Sequence, residues 1–452
     1  MRTLVVGLGL VALVAGYGTP AAAQWMATDA RRIGMGGLAL GRTASVVRFN
    51  PAYRAVPPSA DRRGQPKFTI PIPLGLIQFF HDHPLSHISD DPMFNPDSAG
   101  FNPVVAINTV LHPPLFLQLK EPPTPTNDWI FTVGRDQLVV DLGKAQQLIP
   151  EDQFGLGGSA RPIDPGLAIK GVRVSLMTWF HGEAGFQLGD TLLGFLRNAQ
   201  PAQHNTPYTA SADGLVESGF APTIGYAGRI AGDTATGFYV GGALHYYVGV
   251  GYWRTEVDSA GFQTGSIIFA GPNPVTPVDH AVSHYSKPGN TLGHAIGGDV
   301  GLAFVSGPIE LGVGVNDIGA TITWPNTRTD TLLYDQVGDT VYSTPGPNHV
   351  TTKTELPVSY IANVAYTVGK TTLGADVLNS GRGTIVHVGG EQQVGVFVVR
   401  GGVARDQRKR IQFGWGGGLR FGSFGLDAGF WTYSSSLSNE RGISLATSVS
   451  VY

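Results

Sequence analysis

The 452-residue chain contains no cysteine. Disulfides, thiol nucleophiles, thiolate zinc sites and iron–sulfur clusters are all excluded, so the fold stands without covalent staples. Charge is scarce as well: Asp, Glu, Lys and Arg make up 14% of the chain, against about a quarter in ordinary globular proteins. Thirty basic and 33 acidic residues leave a formal net charge of −3, a balance that suggests no nucleic-acid partner. No strongly apolar run reaches the roughly 20 residues that a membrane helix needs. The N-terminal run from Leu4 to Val14 follows Arg2 and precedes Pro20 and Ala21-Ala22-Ala23. A charged start, a short apolar stretch and a small-residue site together make a secretory signal peptide, with cleavage expected after Ala23. Residues 1–23 are therefore set apart from the fold.

What the chain has in excess is glycine, 63 residues, about twice the usual share. Low charge with high glycine can mean disorder, but 42% hydrophobic and 10% aromatic residues argue against it. A chain poor in charge yet not greasy overall suits a barrel that shows apolar side chains to lipid only at every second residue.

The pattern along the chain bears this out as an expectation of strands. From about residue 219 the sequence predicts strands at 219–230, 237–254, 295–305, 309–324, 356–368, 371–379, 383–391, 394–404, 410–421, 423–433 and 442–452. Within 309–316, Ile309, Leu311, Val313 and Val315 share one face, and Glu310, Gly312, Gly314 and Asn316 share the other. Ile411, Phe413, Trp415, Leu419 and Phe421 likewise oppose Gln412, Gly414, Gly416, Gly418 and Arg420. One face is apolar and aromatic; the other is small, with an occasional charge. A soluble β-sandwich would fill its solvent face with Lys, Glu and Thr, which these strands lack. Strands of about ten residues suit a tilted membrane crossing. Tyr252, Trp253, Trp324, Tyr366, Phe421, Trp431 and Tyr433 suit interfacial girdles. Ser306-Gly307-Pro308, Gly369-Lys370 and Gly422-Ser423 read as tight turns, while 255–294 and 325–355 read as long loops. The expectation is an all-β fold, a transmembrane antiparallel β-barrel in an outer membrane, with membrane lipid as its surroundings. Tyr452 supplies the terminal aromatic common in such barrels, although it lies out of phase with the apolar face of Ile443, Leu445, Val449 and Val451.

The first half is less regular. Residues 66–80 alternate, with prolines at 71 and 73 against a central strand. Residues 81–127 and 143–164 read as irregular. Residues 128–142 read as a hairpin turning near Gly134-Arg135-Asp136, and 187–215 as an excursion with a short helix at Thr191–Leu196.

Two stretches resemble a known family. RIGMGGLALG (Arg32–Gly41) followed by FNPAY (Phe49–Tyr53) is similar to the opening of FadL-type and PorV-like outer-membrane proteins. LPVSYIANVAYTV, TTLGADV, HVGGEQQ, RGGVA and GWGGGLRFGSFGLDAGF follow in order in the C-terminal third, with VGVNDIG at 313–319. The resemblance covers about the first 30 residues after the signal and the last 150; it does not reach 80–290. It implies a barrel of about 14 strands over residues 66–452, with residues 24–65 folded into the lumen as a hatch. Carried over by position, Asn50, Pro51 and Ala52 belong to that hatch, and Gly34, Gly36 and Gly37 pack against the barrel wall. A FadL-type protein passes long-chain fatty acids or other hydrophobic molecules through the hatch. A PorV-like one is a scaffold in secretion, whose long loops would meet a protein partner.

Other chemistry is thin. His81, His83 and His87, with Asp82, Asp90 and Asp91, match no standard metal spacing, and a solvated loop is the plainer reading. GMGGLALG and Gly155–Ala160 lack the βαβ context of a dinucleotide loop. His245 and His387 sit within strands with no nucleophile elbow in sight, so no catalytic residue, cofactor or metal is assigned. Asp299, Glu310, Asn316, Asp376, Glu391, Arg420 and Asp427 all fall on the non-apolar face and are expected to face the lumen. Both signs are present there, which favours an interior salt-bridge network over a substrate path.

Overall fold

The structure, a computed structural model, describes residues 30–40, 49–57, 68–72, 81, 115–118, 130–134, 137–141, 154–161, 164–266, 275–286, 292–335, 340–379, 383–405, 411–432 and 442–451. The signal-peptide expectation and the histidine cluster, apart from an exposed His81, lie outside these residues.

Period-two patterning dictates the architecture. Between Ser359 and Val368 every even-numbered residue is exposed and every odd-numbered one buried. The strands, in chain order, are β1 (Phe68–Ile72), β2 (Leu115–Gln118), β3 (Ile130–Gly134), β4 (Gln137–Asp141), β5 (Phe154–Ala160), β6 (Gly166–Ile169), β7 (Val172–Leu188), β8 (Pro207–Gly232), β9 (Thr236–Thr264), β10 (Val275–Tyr285), β11 (Gly293–Ser306), β12 (Ile309–Ile318), β13 (Thr321–Asp335), β14 (Thr340–Pro345), β15 (Val350–Glu355), β16 (Ser359–Val368), β17 (Thr371–Asn379), β18 (Thr384–Val394), β19 (Phe397–Arg405), β20 (Ile411–Phe421), β21 (Phe424–Thr432) and β22 (Gly442–Val451). Helical pieces among the described residues include α1 (Ala30–Gly34) and a 3-10 turn (Pro51–Arg54), both ahead of β1, and α2 (Asp190–Arg197) between β7 and β8. All strands but β3 and β4 join one twenty-stranded sheet. Every pairing is antiparallel. The ladder runs from β1 through β22, β21, β20, β19, β18, β17, β16, β12, β11, β9, β8 and β7 to β5 and β6.

The sheet is turned inside out relative to a soluble protein. Its exposed face carries Leu167 (80% exposed), Ile169, Ile296, Val313, Val364, Phe397 and Phe424. Its buried face carries Asp299, Glu310, Asn363, Asp376, Arg400 and Asp427. Water would not tolerate a continuous apolar outer face of this extent, whereas lipid requires one. No helix among the described residues is long and apolar enough to cross a membrane, so any crossing falls to the strands. Val364→Arg, at the middle of β16, is therefore expected to lower folding stability in lipid vesicles by about 2–4 kcal/mol. Val364→Leu should leave it unchanged. Denaturant titration in vesicles separates the two.

Tight turns gather on one rim. Gly171, Gly232, Gly307, Gly369, Gly395 and Gly422 adopt left-handed φ between successive strands, a conformation glycine reaches without steric cost. At the Gly232 turn, Asp233 accepts hydrogen bonds from the amides of Thr236 and Ala235, both at 2.7 Å. Those bonds hold its carboxyl below the usual carboxylate range. The stabilisation they give is thus present above that range and lost only as pH falls through the lowered value.

The opposite rim departs from expectation. β8 and β9 run for 26 and 29 residues, where about 9–11 suffice to cross a bilayer. Their exposed apolar stretch, Phe220 to Ile230 on β8, ends well before the strands do. The remainder stands beyond it as a tall sheet. Most of the described residues in the loops expected at 255–294 and 325–355 are instead part of this sheet: β9 continues to Thr264, β10 pairs with it and with β13, and β14 and β15 pair with β13. The strand expected at 309–324 breaks at Asp317 and Gly319, both left-handed, and resumes as β13. Polar and threonine-rich residues disguised these strands, whose sequences lack the continuous apolar face that marks a membrane crossing. The helix expected at 191–196 is α2. It packs Phe195 with Tyr208, Phe262 and the β3–β4 hairpin residue Val140. Tyr252 and Trp324 are buried inside rather than set in a girdle, while Tyr366 and Phe421 are exposed on the outer face.

Candidate functional site

The segment containing residues 30–40 and 49–57 lies on the buried face of the sheet and is itself almost wholly enclosed. Every residue of α1 is buried, as are Met35, Leu38, Ala39, Leu40, Ala52, Tyr53 and Val56. α1 is only five residues long, too short to persist alone. It stops because Gly36 and Gly37 turn left-handed, with the Gly36 amide donating to Ile33 O (3.0 Å) and the Gly37 amide to Arg32 O (2.9 Å). The second piece is nucleated by Asn50, whose Oδ1 accepts from the Ala52 amide (3.1 Å) with Pro51 at the first helical position.

Glycine on the wall is what lets the backbone in. A Cβ placed on Gly429 would meet Ala30 O at 2.3 Å, on Gly414 Ile33 O at 2.2 Å, on Gly402 Met35 O at 2.1 Å, and on Gly389 Met35 O at 2.2 Å. On the other side, Cβ atoms on Gly314, Gly301 and Gly241 would meet Phe49 O, Asn50 Oδ1 and the Ala52 amide. Gly402 is in register with both Gly389 and Gly414, and Gly301 with both Gly241 and Gly314. The small inner residues thus form a belt across neighbouring strands, and the segment lies along it. Gly34, Gly36 and Gly37 press from the segment's side, against Gly416 and Arg400, Gly402, and the His387 ring respectively. Gly402→Ala is expected to weaken seating by about 1–3 kcal/mol and to make the segment cleavable by protease in the folded protein. Gly401→Ala, whose Cβ meets nothing within 4 Å, should not.

Polar bonds fasten the segment along the belt. Arg31 forks onto Glu391, with Nε donating to Oε2 at 3.0 Å and Nη2 paired with Oε1. Arg400 Nε also donates to Glu391 Oε2 (3.0 Å), and its Nη2 forms an ion pair with Asp427 at 2.8 Å. Asp427 in turn accepts from Arg420 Nη1 (2.9 Å) and Ser450 Oγ (3.0 Å). Asp376 accepts from the Ala39 amide and pairs with His387, both at 2.5 Å. Asn316 Nδ2 donates to Phe49 O (2.9 Å), Asn50 Nδ2 to Leu302 O (2.9 Å), and Asn363 Nδ2 to Tyr53 OH (2.8 Å). Paired, hydrogen-bonded charges are the form in which buried charge is tolerated.

A second node lies near the β12–β13 break. Arg161 pairs with Asp299 and with Asp317 (2.7 Å), His245 Nε2 lies 2.9 Å from Asp299, and Tyr247 OH donates to Asp317 (2.6 Å). Arg54 of the segment reaches Asp164 (3.3 Å), which also holds Arg173.

The seven charged or amide positions read from the sequence are all buried, on the face opposite the exposed apolar one. Asn316, Asp376 and Glu391 touch the N-terminal segment directly. Arg420 and Asp427 act at one remove through Arg400, and Asp299 belongs to the Arg161 node. Glu310 is buried beside the β11–β12 turn. Sequence reading missed Arg31, Arg400, Arg161, Asp317, His181 and Glu217. Strand parity could have found Arg400, which shares a face with Gly402; Arg161 and His181 lie in a region where no strand was expected. Gly155–Ala160 is strand β5 rather than a loop. Among the described residues no group of three or more His, Asp or Glu could hold a metal ion.

An inside-out antiparallel sheet with its own N-terminal segment seated along the inner face is the architecture of a membrane β-barrel. No family model matches the chain, and no curated protein does. Solved structures similar to it include the Ralstonia pickettii toluene transporter TbuX, at 10% identity over 73% of this chain and 96% of that one, with a TM-score of 0.31. A mutant of the monoaromatic hydrocarbon channel TodX matches at 11% identity over 71% and 96%, TM-score 0.32, and the monoaromatic hydrocarbon channel CymD at 11% over 71% and 95%, TM-score 0.31. At such scores the likeness carries no weight for function, which rests on the geometry above.

Proposed function

We propose that the chain is an outer-membrane β-barrel that passes small hydrophobic molecules passively, with residues 24–65 as a hatch in the lumen of a barrel formed by residues 66–452. The observation that carries the reading is the seating of the N-terminal segment. It is a separate piece of chain, fitted to a glycine belt and held by side-chain bonds that can open without dismantling any strand pairing. The lumen-facing residues are then Asp299, Glu310, Asn316, Asp376, Glu391, Arg420 and Asp427, and the hatch contacts are Gly34, Gly36, Gly37, Asn50, Pro51 and Ala52. The apolar outer face supplies the lipid contact, and the short-turn rim faces the periplasm. The solute is hydrophobic, a fatty-acid-like chain as the sequence resemblance implies. No catalytic step is needed. In liposomes, the protein should speed uptake of radiolabelled oleate while leaving sucrose excluded; sucrose entry at the same rate would rule out a hydrophobic-selective channel.

The tall extension of β7–β10 and β13–β15 favours a second reading, a PorV-like scaffold whose partner is a secreted protein. Recovery of one defined protein with the extended barrel, abolished by trimming residues 325–355, would support it.

A further inference from the structure

The outward face of the sheet changes character where β11, β13 and β15 meet. Along β11 the outward residues Leu302, Val300 and Ile296 are apolar and more than half exposed, and the next one outward is an exposed His294. His294 is in register with Thr323 on β13, and Thr323 with Lys353 on β15. Lys353 is exposed, next to a buried Thr354 that bonds to Glu217 on the inner side. Its side chain therefore points out, as that of His294 does, two strand spacings or about 10 Å away.

Further along β13, on the same face, stands another cation. Arg328 is in register with Tyr285 on β10, and Tyr285 with Trp253 on β9. Tyr252 is buried inside, so Trp253 faces out, and directly opposed residues share its face. The Arg328 guanidinium lies 6.0 Å from the centre of the Tyr285 ring, and Tyr285 OH donates to Asp330 Oδ2 at 2.8 Å. From Thr323 to Arg328 is about 15 Å along the strand. Among the described residues, none of His294, Arg328 and Lys353 forms an ion pair with a carboxylate. Glu355, which follows Lys353 on the outward side of β15, is exposed.

We infer that this outward patch binds the headgroup of a membrane glycolipid carrying two phosphates, one against His294 and Lys353 and the other against Arg328. The inference needs the barrel to sit in a membrane and is independent of what crosses its lumen. Position and charge select the class. Cations that adjoin a lipid-facing apolar surface meet headgroups, and lipid phosphate supplies their counter-charge. Trp253 and Tyr285 suit the same level, with an apolar ring for the acyl boundary and a polar tip for water. The cations fall at two heights, so one phosphate cannot serve them all. Two phosphates joined through a single glycerol stand too close together, whereas a disaccharide holds them far enough apart. Bound in this way, the lipid fixes the height of the barrel in the leaflet on the side of the tall extension.

The test is titration of the full-length protein in a neutral detergent with lipid A carrying both phosphates, and with the same lipid after phosphatase treatment, read by native mass spectrometry. The native protein is expected to prefer the phosphorylated form by about twenty-five-fold or more, about fivefold for each full charge. Lys353→Gln and Arg328→Gln should each lower that preference about fivefold. Glu355→Gln removes a charge that repels phosphate and should raise it. Lys370→Gln, at the exposed turn of the opposite rim, should leave it unchanged. If Arg328→Gln loses the heat-dependent gel shift of a folded barrel, Lys353→Gln and Glu355→Gln carry the test with their opposite signs. Equal affinity for the two lipids would overturn the inference, as would a preference that Lys370→Gln lowers as much as Lys353→Gln does. Tighter binding of cardiolipin, whose phosphates share one glycerol, would overturn the disaccharide assignment. Oleate uptake is measured separately, so the transport reading survives any of these failures.

Discussion

Liposomes carrying the protein without residues 24–60 are expected to admit a trisaccharide about tenfold faster, or more, than liposomes carrying the whole chain. The reasoning is geometric. On the barrel reading, a wall of this breadth encloses more space than the small barrels whose interiors wall side chains alone can fill. Here the filling is the N-terminal segment: Met35, Leu38 and Leu40 form a buried cluster with wall residue Ala365, and Tyr53, Ala52 and Val56 form another with Tyr239, Ala303 and Ile361. Removing it replaces those contacts with water. Glu391, Asp376 and Asn316 then face a wet lumen rather than a dry gap, so their desolvation is relieved. The wall pairings involve none of the deleted residues, and the shortened protein should still run as a folded band on unheated gels. A folded band with unchanged sugar exclusion would mean that the segment is not what closes the barrel.

The second large effect concerns the charge ladder. Glu391→Ala would leave Arg31 and Arg400 buried with their shared carboxylate gone. Breaking a buried pair by deleting one partner costs about 3–5 kcal/mol. Arg31 is 1% exposed and Glu391 9%, so solvent screens the pair little. Arg31→Met should cost less than Glu391→Ala, because Arg400 still uses the carboxylate. The double variant should cost clearly less than the sum of the two single changes. The measurement is a denaturant titration that follows a fluorophore on the N-terminal segment separately from wall unfolding. Simple additivity would place Arg31 outside the ladder's energetics.

Much of this was legible in the sequence. Strands β16 to β21 announce themselves because one face is Val, Tyr, Phe and Leu and the other is Gly, Ala and sparse charge. GMGG and Asn-Pro-Ala could be placed against the wall by resemblance. The wall's share of the fit was harder to see: Gly389, Gly402 and Gly414 become a belt only once register aligns them, and register is set by turns and bulges rather than by any one strand. The extension stayed hidden because β10, β13, β14 and β15 are mixed in polarity along the chain, with no face that is apolar throughout. His181 and Glu217 lie 36 positions apart and meet only through the β7–β8 pairing. Arg161 has no periodic neighbour that would mark it, since it sits in the interruption between β5 and β6.

The absence of native cysteine makes the central claim directly testable. A single cysteine at Ala39, which is 1% exposed and donates its amide to Asp376, should resist a bulky water-soluble maleimide in the folded, membrane-embedded protein and react fully after heating. Prompt labelling at Ala39 before heating, in protein that still shows the folded gel band, would contradict a seated N-terminal segment.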